Sequence, residues 1–401
     1  MTQLAQYLAQ LQRFGIAPGL ERIEALLQNA GNPHHNFPHI LVGGTNGKGS
    51  TCEFAARLLA HNGKRIGLYT SPHLYRWNER LRILPAPVSP SQIFDGAVSD
   101  HELDALLESA LPYIENVAKT LGQPTEFEVV TFLALLHFAR QNVDLAVLEV
   151  GLGGKWDATN ATNPFLSVVT HVALDHCDRL GNTHAEIAAD KVHIARPDCP
   201  FLTAETRADV LGVFAAHCER IGAPMIGIEV GDGPFQEQNA ILAACIAHEV
   251  AEILGWPRPE MDFPRPSVPG RFETVSRHPK IIIDAANNPE GAQILARELE
   301  NHGIQSENLI LVLGILADKN WREMTQILAP RANVTLCTQT NSPRALDAET
   351  LFQFAKDCAP CAEISPSVTH AVNRAKELAD EGDTILVTGS FTTICEVQRA
   401  V

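Results

Sequence analysis

One pattern constrains this chain more than any other: short, continuously apolar stretches alternate with helical periodicity along most of its length. Strand-like runs occupy His39–Gly43, Arg65–Thr70, Asp144–Val150, Phe165–Val172, Pro200–Ala204 and Met225–Val230. Helical patterns lie between them, at Lys48–His61, Glu126–Gln141, His184–Arg196, Ala208–Ile221 and Gln238–Leu254. A strand that is apolar at every position must be covered on both faces, which a mostly parallel sheet between two helical layers achieves. Two amphipathic helices, near residues 2–13 and 19–29, precede the first strand. The segment Gly255–Gly270, GWPRPEMDFPRPSVPG, carries five prolines, which extend neither a helix nor a central strand, so a linker is expected there. The alternation then restarts with Lys280–Asp284, Leu309–Gly314, Val334–Thr338 and Thr384–Thr388. Two α/β domains follow, residues 1–268 and 269–401, with a cleft between them as the expected ligand site.

Charge narrows the partners. Lys and Arg total 31 against 47 Asp and Glu, a formal charge of −16 with no block long enough to form an acidic tail. A general nucleic-acid or anionic-membrane binder would carry the opposite sign, so neither partner is expected. An anionic ligand then needs a local site of basic side chains or backbone amides. The most hydrophobic run, Val129–Phe138, is short for a membrane span and contains His137. The N-terminal MTQLAQYLAQLQRFG lacks a basic start and reads as an amphipathic helix. The nine cysteines are odd in number and scattered, which suits a reducing cytoplasm. Cys358-Ala-Pro-Cys361 has redox spacing but lies at an expected helix end without a second pair, so it reads as incidental.

The strongest local signal is Ile40-Leu-Val-Gly-Gly-Thr-Asn-Gly-Lys-Gly-Ser-Thr51. An apolar strand enters a glycine-rich turn and a helix starts at the lysine. Glycines let backbone N–H groups turn toward phosphate oxygens, and the helix N-terminus adds partial positive charge. Lys48 would neutralise the outer phosphates, and the Ser50 or Thr51 hydroxyl could reach Mg²⁺. The run departs from the usual phosphate loop: Val42 takes the first glycine position and Gly49 separates Lys48 from Ser50. Glu149 closes the apolar strand Asp144–Val150 and precedes Gly151-Leu-Gly-Gly154, at the strand end where open parallel sheets bind ligands. Leu174-Asp-His176 follows the next strand, at the same sheet edge, and Lys191 lies on the helix after it.

Taken in order, these pieces make the chain resemble the dihydrofolate synthase/folylpolyglutamate synthase family of the Mur ligase superfamily. The resemblance runs through Gly19-Leu-Glu-Arg-Ile23, the phosphate loop, Ser71-Pro-His-Leu74 with Glu79-Arg80, and Glu149-Val-Gly-Leu-Gly-Gly154. It continues in Asp157-Ala-Thr-Asn160, Leu174-Asp-His176, Pro269-Gly-Arg-Phe272, Asp284 with Asn288-Pro289, and Gly389-Ser-Phe391. About forty residues precede the loop, fewer than the UDP-binding domain of a cell-wall Mur ligase needs, so that branch is not expected. The fold the resemblance implies is an N-terminal P-loop ATPase-like domain and a smaller C-terminal Rossmann-like α/β domain.

The resemblance also implies roles. ATP would be held by Thr45, Asn46, Gly47, Lys48, Gly49, Ser50 and Thr51, with Asn239, Arg271 and Asp284. Ser71, Glu149, His176 and Lys191 would sit on two Mg²⁺ ions. Lys191 would be carbamylated, since CO₂ addition turns a cation into an oxygen ligand. Lys48, His176 and Lys191 would be the catalytic set. Arg80, Phe127 and Asp157 would face the pterin, and Asn287 and Ser390 would lie on the substrate side of the C-terminal domain. The implied reaction joins L-glutamate to dihydropteroate or a reduced folate through an acyl phosphate, in a monomer whose domains close about residues 255–270.

Two departures from the family stand out. Asp284-Ala-Ala-Asn287-Asn288-Pro289 has Asn287 where the family has His, and Asp190-Lys-Val-His-Ile194 replaces a usual Glu-Lys-Ala-Gly-Ile. An amide hydrogen-bonds but cannot titrate or supply an imidazolium. The competing readings are a diverged paralogue acting on another carboxylate, a nucleotide-binding homologue without turnover, and a GTPase or kinase. The last lacks an Asn-Lys-x-Asp guanine signature.

Overall fold

The central apolar runs become strands buried on both faces, whereas Met225–Gly227 at the sheet edge is only partly buried. The computed structural model describes residues 2–11, 18–84, 94–259 and 267–397. It contains β1 (His39–Gly43), β2 (Ile66–Tyr69), β3 (Leu81–Leu84), β4 (Leu145–Glu149), β5 (Leu166–Val169), β6 (Phe201–Thr203) and β7 (Met225–Gly227). These form one sheet in the order β3-β2-β4-β1-β5-β6-β7, parallel throughout except for the edge pair β2–β3. A second sheet holds β8 (Glu273–Arg277), β9 (Lys280–Ile283), β10 (Leu309–Leu313), β11 (Val334–Cys337), β12 (Ala362–Ile364) and β13 (Thr384–Thr388). Its order is β12-β11-β10-β13-β9-β8, again parallel apart from the edge pair β8–β9. The chain divides into two compact units, Met1–Ala173 with Cys177–Pro266, and Leu174–His176 with Ser267–Val401. The α/β class and the mostly parallel sheets are as the alternation implies.

The helices explain themselves by cap and face. Thr125 and Glu128 close a capping box at the start of the helix Glu126–Arg140, satisfying amides that would otherwise lack partners. Residues Val129–Phe138 of that helix are all buried, so the most hydrophobic run of the sequence is a core helix covered on every side. No helix among the described residues is long and apolar enough to cross a membrane.

The helix Lys48–His61 is also buried from Ser50 to Ala60, and this interior includes Glu53 and Arg57. Such charges must be paired. Arg57 Nε donates to Glu53 Oε1 at 2.5 Å and its Nη2 reaches Asp95 Oδ1 at 2.6 Å. Arg82 on β3 closes the square, with Nη1 on Glu53 at 2.6 Å and Nη2 on Asp95 at 2.8 Å. Two guanidinium groups and two carboxylates thus fasten the first helix of the sheet to its antiparallel edge strand.

Several boundaries differ from expectation. The first helix covers Gln3–Leu11, and residues 12–17 lie outside the described residues, as does the stretch 260–266 of the expected linker. The helix expected over His184–Arg196 ends at Lys191 and tightens into a 3₁₀ turn, Val192–Ile194. Arg196 there bonds the carbonyls of His193, Ile194 and Ala195 at 3.1–3.2 Å. The run Phe165–Val172 is a strand only over Leu166–Val169, because Thr170 to Ala173 turn their polar groups toward the loop after β1. The expected strand Met225–Val230 stops at Gly227. β3, β8 and β12 were not anticipated: they are short and lie at or next to sheet edges, where an uninterrupted apolar run is not required.

Arg82→Leu should leave Glu53 and Asp95 under-neutralised in the core. Urea unfolding is expected to record a loss of about 3–5 kcal/mol.

Candidate active site

Parallel register sets the site. Val42 lies level with Glu149, Gly43 with Val169 and Tyr69 with Leu148, so the carboxyl ends of β2, β4, β1 and β5 finish side by side. The residues that follow each strand share one rim: Ser71 after β2, Glu149 at the end of β4, the glycine loop after β1, and Thr170–Ala173 after β5.

The loop is held open from beneath. Thr45 N–H donates to the His171 carbonyl at 2.6 Å, and Ala173 N–H donates to Thr45 Oγ1 at 3.0 Å. Thr170 Oγ1 donates to the Asn46 carbonyl at 2.7 Å. Gly44 (φ 137°) leaves no room for a side chain against Thr170, and Gly47 (φ 87°) none against Asn239. The glycines therefore serve close approach as well as backbone freedom. The helix begins at Lys48, whose Nζ donates to the Thr45 carbonyl at 3.1 Å, curling the ammonium back over the loop. Asn239, buried on the helix Phe235–Leu254, thereby stands against the loop at Gly47.

Glu149 reaches this loop from the neighbouring strand. A Cβ on Gly49 would stand 3.5 Å from its Oε2, and the same oxygen accepts Ser71 N–H at 2.8 Å. Thr51 Oγ1, in the first helical turn, is buried with no hydrogen-bond partner among the described residues. Carboxylate and hydroxyl oxygens suit a hard divalent cation that keeps water and phosphate in its remaining positions. No group of three or more His, Cys, Asp or Glu able to hold a metal occurs among the described residues.

Lys191 is 3% exposed, and its Nζ donates to the Gly44 carbonyl at 2.9 Å. It sits there because Gly154 lets the two backbones touch: a Cβ at Gly154 would lie 2.6 Å from the Lys191 carbonyl oxygen. Lys191 and the glycine loop are thus joined by direct contact.

Of the residues expected on the substrate side in this unit, Asp157 is spent on the chain itself. It accepts Leu152 N–H at 2.9 Å and Thr159 N–H at 3.0 Å. Burial raises its carboxyl above the usual range, and those hydrogen bonds, with one from Gly151, oppose the rise. Phe127 packs against Gly151 and stands 6.2 Å from the Tyr69 ring. Arg80 is buried; its Nε donates to His73 Nδ1 at 3.0 Å, and its guanidinium lies 4.4 Å from the Trp77 ring centroid. Burial and the neighbouring Arg80 push the His73 ring down to about 3, so it is neutral and accepts.

The second unit forms its own carboxyl rim. Asp284 follows β9 and accepts Phe272 N–H at 2.9 Å and Ala286 N–H at 2.8 Å. Burial pushes its carboxyl up, and the nearby Arg271 opposes that. Arg271 also lies over the Phe391 ring, 4.9 Å from its centroid. Ser390 caps the short helix Phe391–Cys395 and is fully engaged, accepting Thr393 N–H at 3.1 Å. Asn287 is half-buried, and Asn288 caps the next helix through Gly291 N–H at 2.8 Å.

The segment Leu174–His176, expected with the N-terminal domain, groups with this unit. Lys319 Nζ holds Asp175 Oδ1 at 2.6 Å and lies 3.2 Å from His176 Nε2. Burial would raise the Asp175 carboxyl, but the Lys319 and His176 charges and bonds from Lys319 and Asn288 bring it below the usual range. Sequence reasoning missed Lys319. Its signal was an Asp318-Lys319 pair a few residues beyond the apolar run Leu309–Gly314, a position equivalent to the loops that were singled out.

Cys358 and Cys361 lie between the helix Ala348–Ala355 and β12, both with free thiols and away from either rim.

Comparison with known proteins follows the same outline. The family model for the Mur ligase glutamate ligase domain matches residues 270–391. A probable bifunctional folylpolyglutamate synthase/dihydropteroate synthase of Haloferax volcanii is 33% identical over 99% of this chain, which spans 50% of that relative's length. The dihydrofolate synthase/folylpolyglutamate synthase of Bacillus subtilis is 30% identical, with 96% of each chain covered. Among solved structures, Mycobacterium tuberculosis folylpolyglutamate synthase complexed with ADP superposes at a TM-score of 0.87, with 30% identity and coverage of 99% and 97%. Escherichia coli FolC in complex with DHPP and ADP gives 0.84 with 27% identity and coverage of 99% and 97%. The Yersinia pestis bifunctional enzyme complexed with AMPPNP and Mn gives 0.81 with 27% identity over the same shares.

Gly154→Ala should drive a methyl group into the Lys191 backbone. It is expected to lower the urea midpoint by a destabilisation of about 1–3 kcal/mol and to impair turnover with it.

Proposed function

The chain belongs to the dihydrofolate synthase/folylpolyglutamate synthase family, and from that membership we propose that it is an ATP-dependent ligase joining L-glutamate to dihydropteroate or a reduced folate. One observation carries the reading: the glycine loop with Lys48, the Glu149 carboxylate with Ser71, and the buried Lys191 all meet at the carboxyl rim of one sheet. The relatives bound to ADP, to AMPPNP with Mn, and to DHPP support the same ligand classes here.

A carboxylate resists attack by an amine because its oxygen is a poor leaving group. Transfer of the γ-phosphoryl group of ATP to that oxygen removes the obstacle, and the glutamate amine then displaces phosphate from the acyl phosphate. Loop amides from Thr45 to Thr51 cradle the phosphates, and Lys48 stabilises negative charge as the phosphoryl group moves. Asn239 supports the nucleotide from beside Gly47, and Arg271 and Asp284 are assigned to ATP on the C-terminal unit. Glu149, Ser71, His176 and Lys191 are the residues that would hold two Mg²⁺ ions. When bound, Mg²⁺ neutralises the phosphoryl oxygens and orients them. A carbamate on Lys191 would give that side chain the oxygen donor it lacks as an amine. Arg80 and Phe127 are assigned to the acceptor acid, and Asn287 and Ser390 to the C-terminal substrate side. The two oxygens of Asp157 are already bonded by backbone amides, so its contribution is to shape the Gly151–Asn160 wall. With Asn287 in place of the family's histidine, any imidazole chemistry at that position is absent, and the acceptor is to be read from products.

ADP release measured with dihydropteroate, folates and a panel of amino acids, with product mass, tests the reading. Glutamate- and acid-dependent release is expected, and release with neither dependence overturns it. Lys48→Ala should lower kcat by about 100-fold or more. Lys191→Ala should also be poor; partial recovery on adding acetate or formate is expected if the missing group is a carbamate, and an intact wild-type mass without the 44-dalton adduct of CO₂ at high bicarbonate would speak against it.

A further inference from the structure

Arg80 differs from the other buried arginines of its unit. Arg57 and Arg82 share two carboxylates, and Arg196, only half-buried, is surrounded by backbone carbonyls. Arg80 is only 7% exposed, yet it forms no ion pair with any described residue. Glu126, Glu149 and Glu79 act on it from beyond ion-pair distance. A guanidinium taken out of water without a partner is costly, and an incoming anion would relieve that cost.

Its surroundings say which anion. His73 Nδ1 accepts from Nε at 3.0 Å, and the Trp77 ring covers one face of the guanidinium at 4.4 Å. The His73 and Trp77 rings are themselves 4.4 Å apart and brace each other. With Nε occupied and one face covered, the outer pair of N–H groups remains as a planar fork matched to a carboxylate. The Arg80 carbonyl accepts Thr70 N–H at 3.2 Å, which places the residue beside the end of β2 and next to Ser71 and Glu149. Triphosphate already has the glycine loop and Lys48. An aromatic-walled cation one strand away suits the carboxylate of a flat aromatic acid.

We infer that Arg80 forks onto the carboxylate of the acid being activated, and that His73 and Trp77 are positioning residues that aim it. The inference rests on the ligase reading and adds the group recognised and the residues that orient the cation. Arg80 loses no proton: one carboxylate oxygen attacks the γ-phosphorus, the bond to the β-bridging oxygen breaks, and its electron pair leaves with ADP. The other carboxylate oxygen stays on the fork.

The test compares binding of pteroate and its primary carboxamide by calorimetry, with the protein loaded with AMPPNP and Mg²⁺. Wild type should prefer the acid. Arg80→Gln should weaken acid binding by about 30-fold or more and leave the amide and AMPPNP unchanged. Retained preference for the acid, or a loss confined to AMPPNP, overturns the assignment. Should Arg80→Gln fail to fold, Arg80→Lys, which keeps charge without the fork, should keep only part of the preference; full preference overturns the fork. His73→Leu should raise the acceptor KM several-fold with the ATP KM unchanged, and His73→Gln, which keeps an acceptor, should restore most of it. An unchanged acceptor KM in a folded His73→Leu protein overturns the positioning role. Wild type that binds neither pteroate nor its amide, and releases no ADP with any acid, removes the ligase reading itself and the inference with it.

Discussion

Val42 stands level with Glu149 and Gly43 with Val169, and this register of β1 between β4 and β5 is what the candidate site in the N-terminal unit depends on. A slip of one residue would turn Glu149 to the other face of the sheet and carry the glycine loop away from Thr170 and Ala173. The register is secured because all five residues of β1 and of β4 are buried, so any shift would expose apolar surface. The site is therefore a by-product of packing: strands that must be level for the core deliver their loops to one place.

The chain handles charge and buried polar groups in three ways. Charges that serve the fold are matched inside the protein, as in the Glu53–Arg57–Arg82–Asp95 square. Polar groups that shape loops are satisfied by backbone, as Asp157 and Ser390 are. A third class is left under-satisfied by the described protein: Arg80 without an ion pair and Thr51 with a bare hydroxyl. Native interiors tolerate such groups where a ligand completes them.

Much of the candidate site was legible in the sequence because it is local. Strand, glycine turn, Lys48 and helix follow one another within a dozen residues, and Glu149 announces itself by ending an apolar run. Lys319 and His73 were not legible as partners of Asp175 and Arg80. Lys319 is 144 residues from Asp175, and His73 faces Arg80 only through the turn Trp77–Arg80. The short edge strands escaped for a related reason. β3 carries Arg82 inward, and only the carboxylates of a helix and a loop elsewhere in the chain make that burial tolerable.

By itself, the sequence determined the α/β class, the break into two sheets and the place of the glycine loop, because apolar continuity, proline content and glycine spacing act over a few neighbouring residues. Tertiary structure alone decided which charges are spent on the fold and which are left over. It also decided that Lys191 meets Gly44 and that Leu174–His176 joins the second unit. Those outcomes depend on burial and on partners far apart in the chain, and the cost of leaving a charge unpaired is set only once water has been excluded around it.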